Sequence, residues 1–154
     1  MLIDMTLKRI LKYYYLRIKN LKGNPRSIAS GMAIGVFIGL TPTIPFHTIM
    51  ILLTTSLLSS SRIAGLIGAI VISNPVTIPI YYYLAYYLGK WVTSFEMKLP
   101  YTYSIIDIAH AGRELVLTML IGGVILGIIP AVITYFLTLY SFKYLRTKRR
   151  ARRL

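Results

Sequence analysis

Three stretches of the chain, residues 28–61, 63–89 and 115–142, contain no Asp, Glu, Lys or Arg. A charge at the centre of a bilayer costs roughly 2.5–3.5 kcal/mol by insertion scales, so long charge-free apolar stretches are what lipid-buried segments require. Composition points the same way. Soluble domains are about 45–50% apolar and about 25% charged, whereas this chain is 56% hydrophobic and 14% charged, with a mean hydropathy of +0.65. Lipid is the expected solvent, and 154 residues suffice for one membrane domain.

The charges that remain are confined to the ends. Residues 1–27 carry seven Lys/Arg and one acid, and residues 143–154 carry seven Lys/Arg and no acid. Short basic flanks are retained in the cytoplasm, so the expectation is a multi-pass protein of the cell (plasma) membrane with both termini inside and an even number of crossings. The N-terminus has basic residues spread through an amphipathic pattern rather than a short apolar core with a small-residue cleavage site, which argues against a cleaved signal peptide. There is no cysteine, which removes disulfides, thiolate metal sites and cysteine nucleophiles.

Along the chain the reading is all-α. Leu7, Ile10, Leu11, Tyr14, Ile18 and Leu21 recur at helical spacing among lysines and arginines, so residues 1–23 read as a basic amphipathic helix at the membrane interface. A membrane domain follows over 24–142. Its first segment, 28–58, would be about 46 Å long as one straight helix, against a hydrocarbon core of about 30 Å. Pro42 and Pro45 break it, since proline lacks the N–H and clashes with the preceding turn. The second segment, 63–89, repeats the plan weakly, with Pro75 and Pro79 as its breaks and Gly65 and Gly68 echoing earlier glycines. Either segment spans in broken form or re-enters as a hairpin. The third, 115–142, reads as a transmembrane helix with Pro130 as its kink, and the basic tail 143–154 stays at the cytoplasmic surface. Gly31, Gly35 and Gly39, and separately Gly123 and Gly127, fall four apart on one helical face, where small residues let another helix approach closely in lipid. The first of these faces could serve a homo-oligomer.

Gly23-Asn24-Pro25-Arg26-Ser27-Ile28-Ala29, followed by Gly35-Val36-Phe37-Ile38-Gly39 and Thr41-Pro42, closely resembles the prokaryotic membrane family catalogued as domain of unknown function 2062. Ser73-Asn74-Pro75-Val76-Thr77-Ile78-Pro79 with Tyr82 to Gly89 is similar to the family's second hallmark, and the resemblance covers about residues 20–145. It implies a small integral membrane protein without an established activity, in a family whose members are sometimes joined to glycosyltransferase modules. Relatives usually have a glycine near the position of Ile44 or Pro45, which this chain lacks.

Interrupted helices at membrane depth leave backbone groups that need partners, and transporter sites are often built from them. Thr41, Thr43, His47, Ser73, Asn74 and Thr77 are the candidate ligand-binding lining; the competing expectation is that they satisfy the freed backbone of merely kinked helices. His47 is the one ionisable side chain between Ile28 and Ser61, without an acid in either broken segment to pair with. Asp107, His110 and Glu114 share a helical face but fall short of a full metal ligand set, so no metal site and no cofactor are expected. The tyrosines at 81–83, 86 and 87 suit an interfacial aromatic belt, or a surface that stacks on sugars. Arg146, Lys148, Arg149, Arg150, Arg152 and Arg153 suit an anionic leaflet, which accounts for them without nucleic acid.

With no Walker loop, HExxH or serine-nucleophile motif, and four acids and two histidines in all, no enzyme is expected. Two functions remain. One is transport or handling of a small solute or lipid-linked phosphate in a pocket formed by the broken segments. The other is a non-catalytic membrane module that anchors or positions a partner such as a glycosyltransferase.

Overall fold

The computed structural model describes residues 23–43, 46–74, 76–94 and 105–151, with side chains of the last stretch over 112–147. The interfacial helix expected over 1–23, Ile44, Pro45, Pro75, the side chains of Asp107 and His110, and most of the basic tail lie outside the described residues. Five helices and no strands occur among the described residues: α1 Pro25–Leu40, α2 His47–Leu57, α3 Arg62–Ile72, α4 Thr77–Thr93 and α5 Ile105–Ala151.

Local chemistry sets the boundaries. Asn24 is extended and caps α1 by accepting from Arg26 N at 3.1 Å, and Pro25 occupies the first helical position, where its missing N–H is no loss. Helix α1 therefore begins at Pro25, three residues before the charge-free stretch. Ser61 caps α3 by accepting from Ala64 N. Pro79 was expected to break the second segment; instead it lies in the first turn of α4, where proline is tolerated. Helix α5 starts earlier and ends later than the 115–142 span. Its 47 residues run unbroken past Pro130 and into the basic tail as far as Ala151, about 70 Å of helix.

Glycine contacts fix the packing. A Cβ on Gly31 would strike Ser61 O, one on Gly35 would strike Gly65 O, and one on Gly39 would lie 3.3 Å from Ala69 Cα. Successive glycines of α1 thus meet successive residues of α3, so the two helices run parallel at backbone contact. The Gly31–Gly35–Gly39 face is occupied by α3 of the same chain, which corrects its expected use between copies. Helix α2 returns alongside the pair, with Ile51 packed on Ile38 and Ala69. Ser61 N donates to Ser27 O at 2.9 Å and Ser30 Oγ lies 2.7 Å from Ser60 Oγ, so the α1–α2 hairpin ends at the level where it began.

Helix α5 crosses this unit antiparallel to α1. Gly123 faces Thr41 and Pro42, Gly127 faces Phe37, and Phe142 joins Ile28, Met32, Ala64 and Ile67 in one core cluster. Arg146 donates to Gly23 O, which brings the residue before α1 and the last part of α5 together at one end of the bundle. The other half of α5 holds α4, where Gly89 meets Thr118 and Gly122 meets Ala85, again without room for a Cβ.

Within α5, Gly112–Thr147 is long and apolar enough to cross a membrane. Helices α3 and α4 pass the same test only as a pair, and they are bent by 88° at the break. Helices α1 and α2, at about 24 and 16 Å, are shorter than a hydrocarbon core of about 30 Å. Large apolar side chains cover the outside: α2 buries only Ile51 and Thr55 and exposes Ile49, Leu53 and Leu57, while α5 exposes Ile129 at 68% and Leu137 at 64%.

Candidate functional site

Because α1 and α3 are parallel, the two breaks that follow them lie at the same end of the helix pair. Ser73 Oγ donates to Gly39 O at 3.0 Å and ties one break to the other across 34 residues of sequence. The predicted lining residues divide into two groups there.

The first group serves the backbone. Thr41 is buried and donates to Phe37 O at 3.0 Å, which satisfies a carbonyl at the end of α1. Thr43 N donates to Thr41 O and Phe46 N to Thr43 O, at 2.8 and 2.7 Å, so tight turns replace the lost helical ladder. Thr43 Oγ1 lies at the limit of hydrogen bonding, 3.5 Å from Thr41 O. Asn74 and Thr77 act reciprocally: Asn74 Oδ1 accepts from Val76 N and Thr77 N at 3.1 and 3.2 Å, and Thr77 Oγ1 accepts from Asn74 N at 3.3 Å. Thr77 Oγ1 also donates to Ile72 O. This works as a capping box that starts α4 without helical continuity from α3. These four positions are consistent with the packing expectation rather than with a free polar lining.

The second group lines a cavity. His47 and Ser73 border a pocket of about 470 Å³ with Thr48, Leu66, Ile70 and Ile78, within the range of about 300–1,000 Å³ usual for small-molecule sites. It lies between the start of α2, one side of α3 and the start of α4. His47 Nε2 is buried and has no hydrogen-bond partner among the described residues. A buried polar atom left unpaired costs about 1–3 kcal/mol, but this nitrogen is closed off from the cavity, so the polar groups that the pocket offers a guest come from Thr48 and Ser73. The pocket is otherwise apolar, and it admits a ligand with one polar end better than one polar all round.

Sequence reasoning missed Thr48 and Ile78 as lining residues, because neither type is unusual in an apolar helix and only the fold brings them beside Ser73. It also missed the Ala85–Gly89 face and its partner Gly122. There a signal was available, since Ala85 and Gly89 are four apart and Gly122 directly precedes a glycine already singled out. Gly123 lies against Leu40, Thr41 and Pro42 at the end of α1, and Gly127 against Phe37. Of the Asp107, His110 and Glu114 face, only Glu114 has a described side chain, and it is exposed.

The model of a family described as an uncharacterized protein conserved in bacteria (DUF2062) matches residues 8–151. No curated protein and no solved structure matches the chain.

Proposed function

The chain belongs to this bacterial family, DUF2062, and from that premise we propose that it is a multi-pass protein of the cell membrane, with both termini cytoplasmic, that transports or handles a small solute or the phosphate end of a lipid carrier in the pocket between its broken segments. The observation that carries the reading is a pocket of about 470 Å³ at the joined breaks, bordered by His47, Thr48 and Ser73. Helices α2 and α4 both begin at these breaks, and half-helix N-termini carry partial positive charge that favours an anionic group. The lipid-covered arrangement is supported by the apolar exterior of α2 and α5, and the common side of the termini by the meeting of Gly23 with Arg146. The α1–α2 hairpin then enters and leaves from that side.

A second reading is favoured by the self-capped polar residues: if Thr41, Asn74 and Thr77 only repair the backbone, the protein is a non-catalytic module that holds a partner such as a glycosyltransferase, or a second copy, in the membrane. Neither reading involves catalysis or a cofactor.

The absence of cysteine makes the test direct. Single cysteines at Thr48, which lines the pocket and is exposed, and at Leu154 are offered a membrane-impermeant maleimide in right-side-out and inverted vesicles. The Leu154 site should label only in inverted vesicles, and the Thr48 site should label from at least one face. A Thr48 site that resists labelling from both faces, with Leu154 behaving as expected, would mean a dry centre and leave the module. A Leu154 site labelled from outside would overturn the orientation.

A further inference from the structure

The end of the bundle opposite the breaks gathers positive charge from three separate parts of the chain. Arg26 stands in the first turn of α1, Arg62 opens α3, and Lys143 and Arg146 lie near the end of α5; all four are exposed. The bonds Ser61 N to Ser27 O, Ser27 Oγ to Ser59 O and Arg146 to Gly23 O hold these positions together. Neither α1 nor α3 has an acid in its first turn. Glu114, the one acidic side chain among the described residues, is far along α5, near the level where Thr118 meets Gly89. The four cations therefore have no carboxylate beside them among the described residues.

An apolar groove lies farther along the bundle, beside the second half of α1. Its volume is about 340 Å³, and it is lined by Ala33, Ile34 and Phe37 of α1, Met50 and Thr54 of α2 and Ala131 of α5. Arg26, Ser30, Ala33 and Phe37 are spaced four, three and four apart, which stacks them along one face of α1. Read upward, that face presents a guanidinium, a hydroxyl bonded to Arg26 O and Ser60 Oγ, and then only hydrocarbon. Arg26 lies about 10 Å below Ala33 along the helix.

Cation, hydroxyl and apolar groove in that order match the polarity of one molecule: an anionic glycerophospholipid with its phosphate at the basic end and an acyl chain upright between α1, α2 and α5. We propose that this groove is a lipid-binding site, with Arg26 and Arg62 as the principal contacts to the headgroup phosphate and Lys143 and Arg146 completing the field. The site shares no lining residue with the His47 pocket, which lies on the α3 side of α2. The proposal rests on the membrane reading above and extends it from a general attraction to anionic lipid to one seat with a defined orientation.

The test uses the full chain, purified from membranes in non-ionic detergent and offered equal amounts of phosphatidylglycerol and phosphatidylcholine with identical acyl chains, with bound lipid counted by native mass spectrometry. One phosphatidylglycerol should be retained with a preference of about tenfold, the scale expected of a few desolvated phosphate contacts. Arg26→Gln combined with Arg62→Gln, both at exposed positions, should bring the two lipids near parity without moving the melting temperature. Ala33→Leu should reduce retention of both lipids by filling the groove. Millimolar inorganic phosphate should not displace the lipid. Equal retention by the native chain, an unchanged preference in the double variant, or displacement by phosphate would each overturn the lipid seat. Recovery of the chain from the soluble fraction without detergent would overturn the membrane reading itself, and that is read before any lipid is added.

Discussion

Gly35→Ala should destabilise the bundle by about 3 kcal/mol or more, at or beyond the upper end of what overpacking a core usually costs. The added Cβ would overlap Gly65 O and lie 2.8 Å from Gly65 C and 3.0 Å from Ala69 N. All three atoms are backbone, so no change of rotamer relieves the clash, and α1 and α3 must separate along their length. The intrinsic preference runs the other way, since alanine favours a helix interior over glycine by about 1 kcal/mol. Gly112 supplies the control: it is exposed on α5 and a Cβ there meets nothing within 4 Å. Gly112→Ala should therefore be neutral or slightly stabilising while Gly35→Ala lowers the melting point steeply in detergent. Equal melting of the two variants would remove the close α1–α3 crossing on which the joined breaks depend.

Ile129→Asp should cost about 3 kcal/mol of membrane insertion, the penalty for an acid at the centre of a spanning helix. Ile129 is 68% exposed and sits midway along Gly112–Thr147, so its side chain faces whatever surrounds the protein rather than another helix. If that surrounding is lipid, the variant should show a large fall in the glycosylated or protease-protected fraction in an insertion assay. If it were water, exchanging an exposed isoleucine for aspartate would be close to neutral or would improve solubility. The same substitution at Gly112, near the expected edge of the span, should have little effect. An unchanged insertion of Ile129→Asp would defeat the membrane reading at its strongest helix.

How far the sequence disclosed this structure depended on how local the governing chemistry is. The breaks after Leu40 and Ile72 were legible because Thr41-Pro42 and Asn74-Pro75 act on their own turns, whatever packs against them. The packing faces of Gly31, Gly35 and Gly39 were legible as faces, but their partner was not, because a glycine stripe carries no mark of which helix will fill it. Helix α5 runs beyond the apolar 115–142 stretch at both ends, since charged residues such as those at 113 and 114 bound a stretch suited to lipid but do not end a helix. Asn74 and Thr77 drew a ligand reading because polar residues in apolar surroundings invite one. Their spacing of three also fits a capping box, and the structure uses it that way. His47 and Ser73 are the two candidates that remain at a cavity, and what unites them is the parallel pairing of α1 and α3, which no local pattern encodes.

The division of α5 between two partners also sets an order of assembly. Helices α1 to α3 close on one another over short separations, with Ser30 reaching Ser60 across 30 residues and Ser73 reaching Gly39 across 34. Helices α4 and α5 close as neighbours in sequence in the same way, through Ala85 and Gly122. Joining the two units instead requires contacts such as Arg146 with Gly23, 123 residues apart. Loops of that length are slow to close, so a three-helix unit and a two-helix hairpin should form first and dock last. Pulsed labelling during refolding of single-cysteine variants should then show Ile51 protected before Phe142. Gly122 and Gly123, adjacent on α5 but facing α4 and α1 respectively, are the point where the docking is completed.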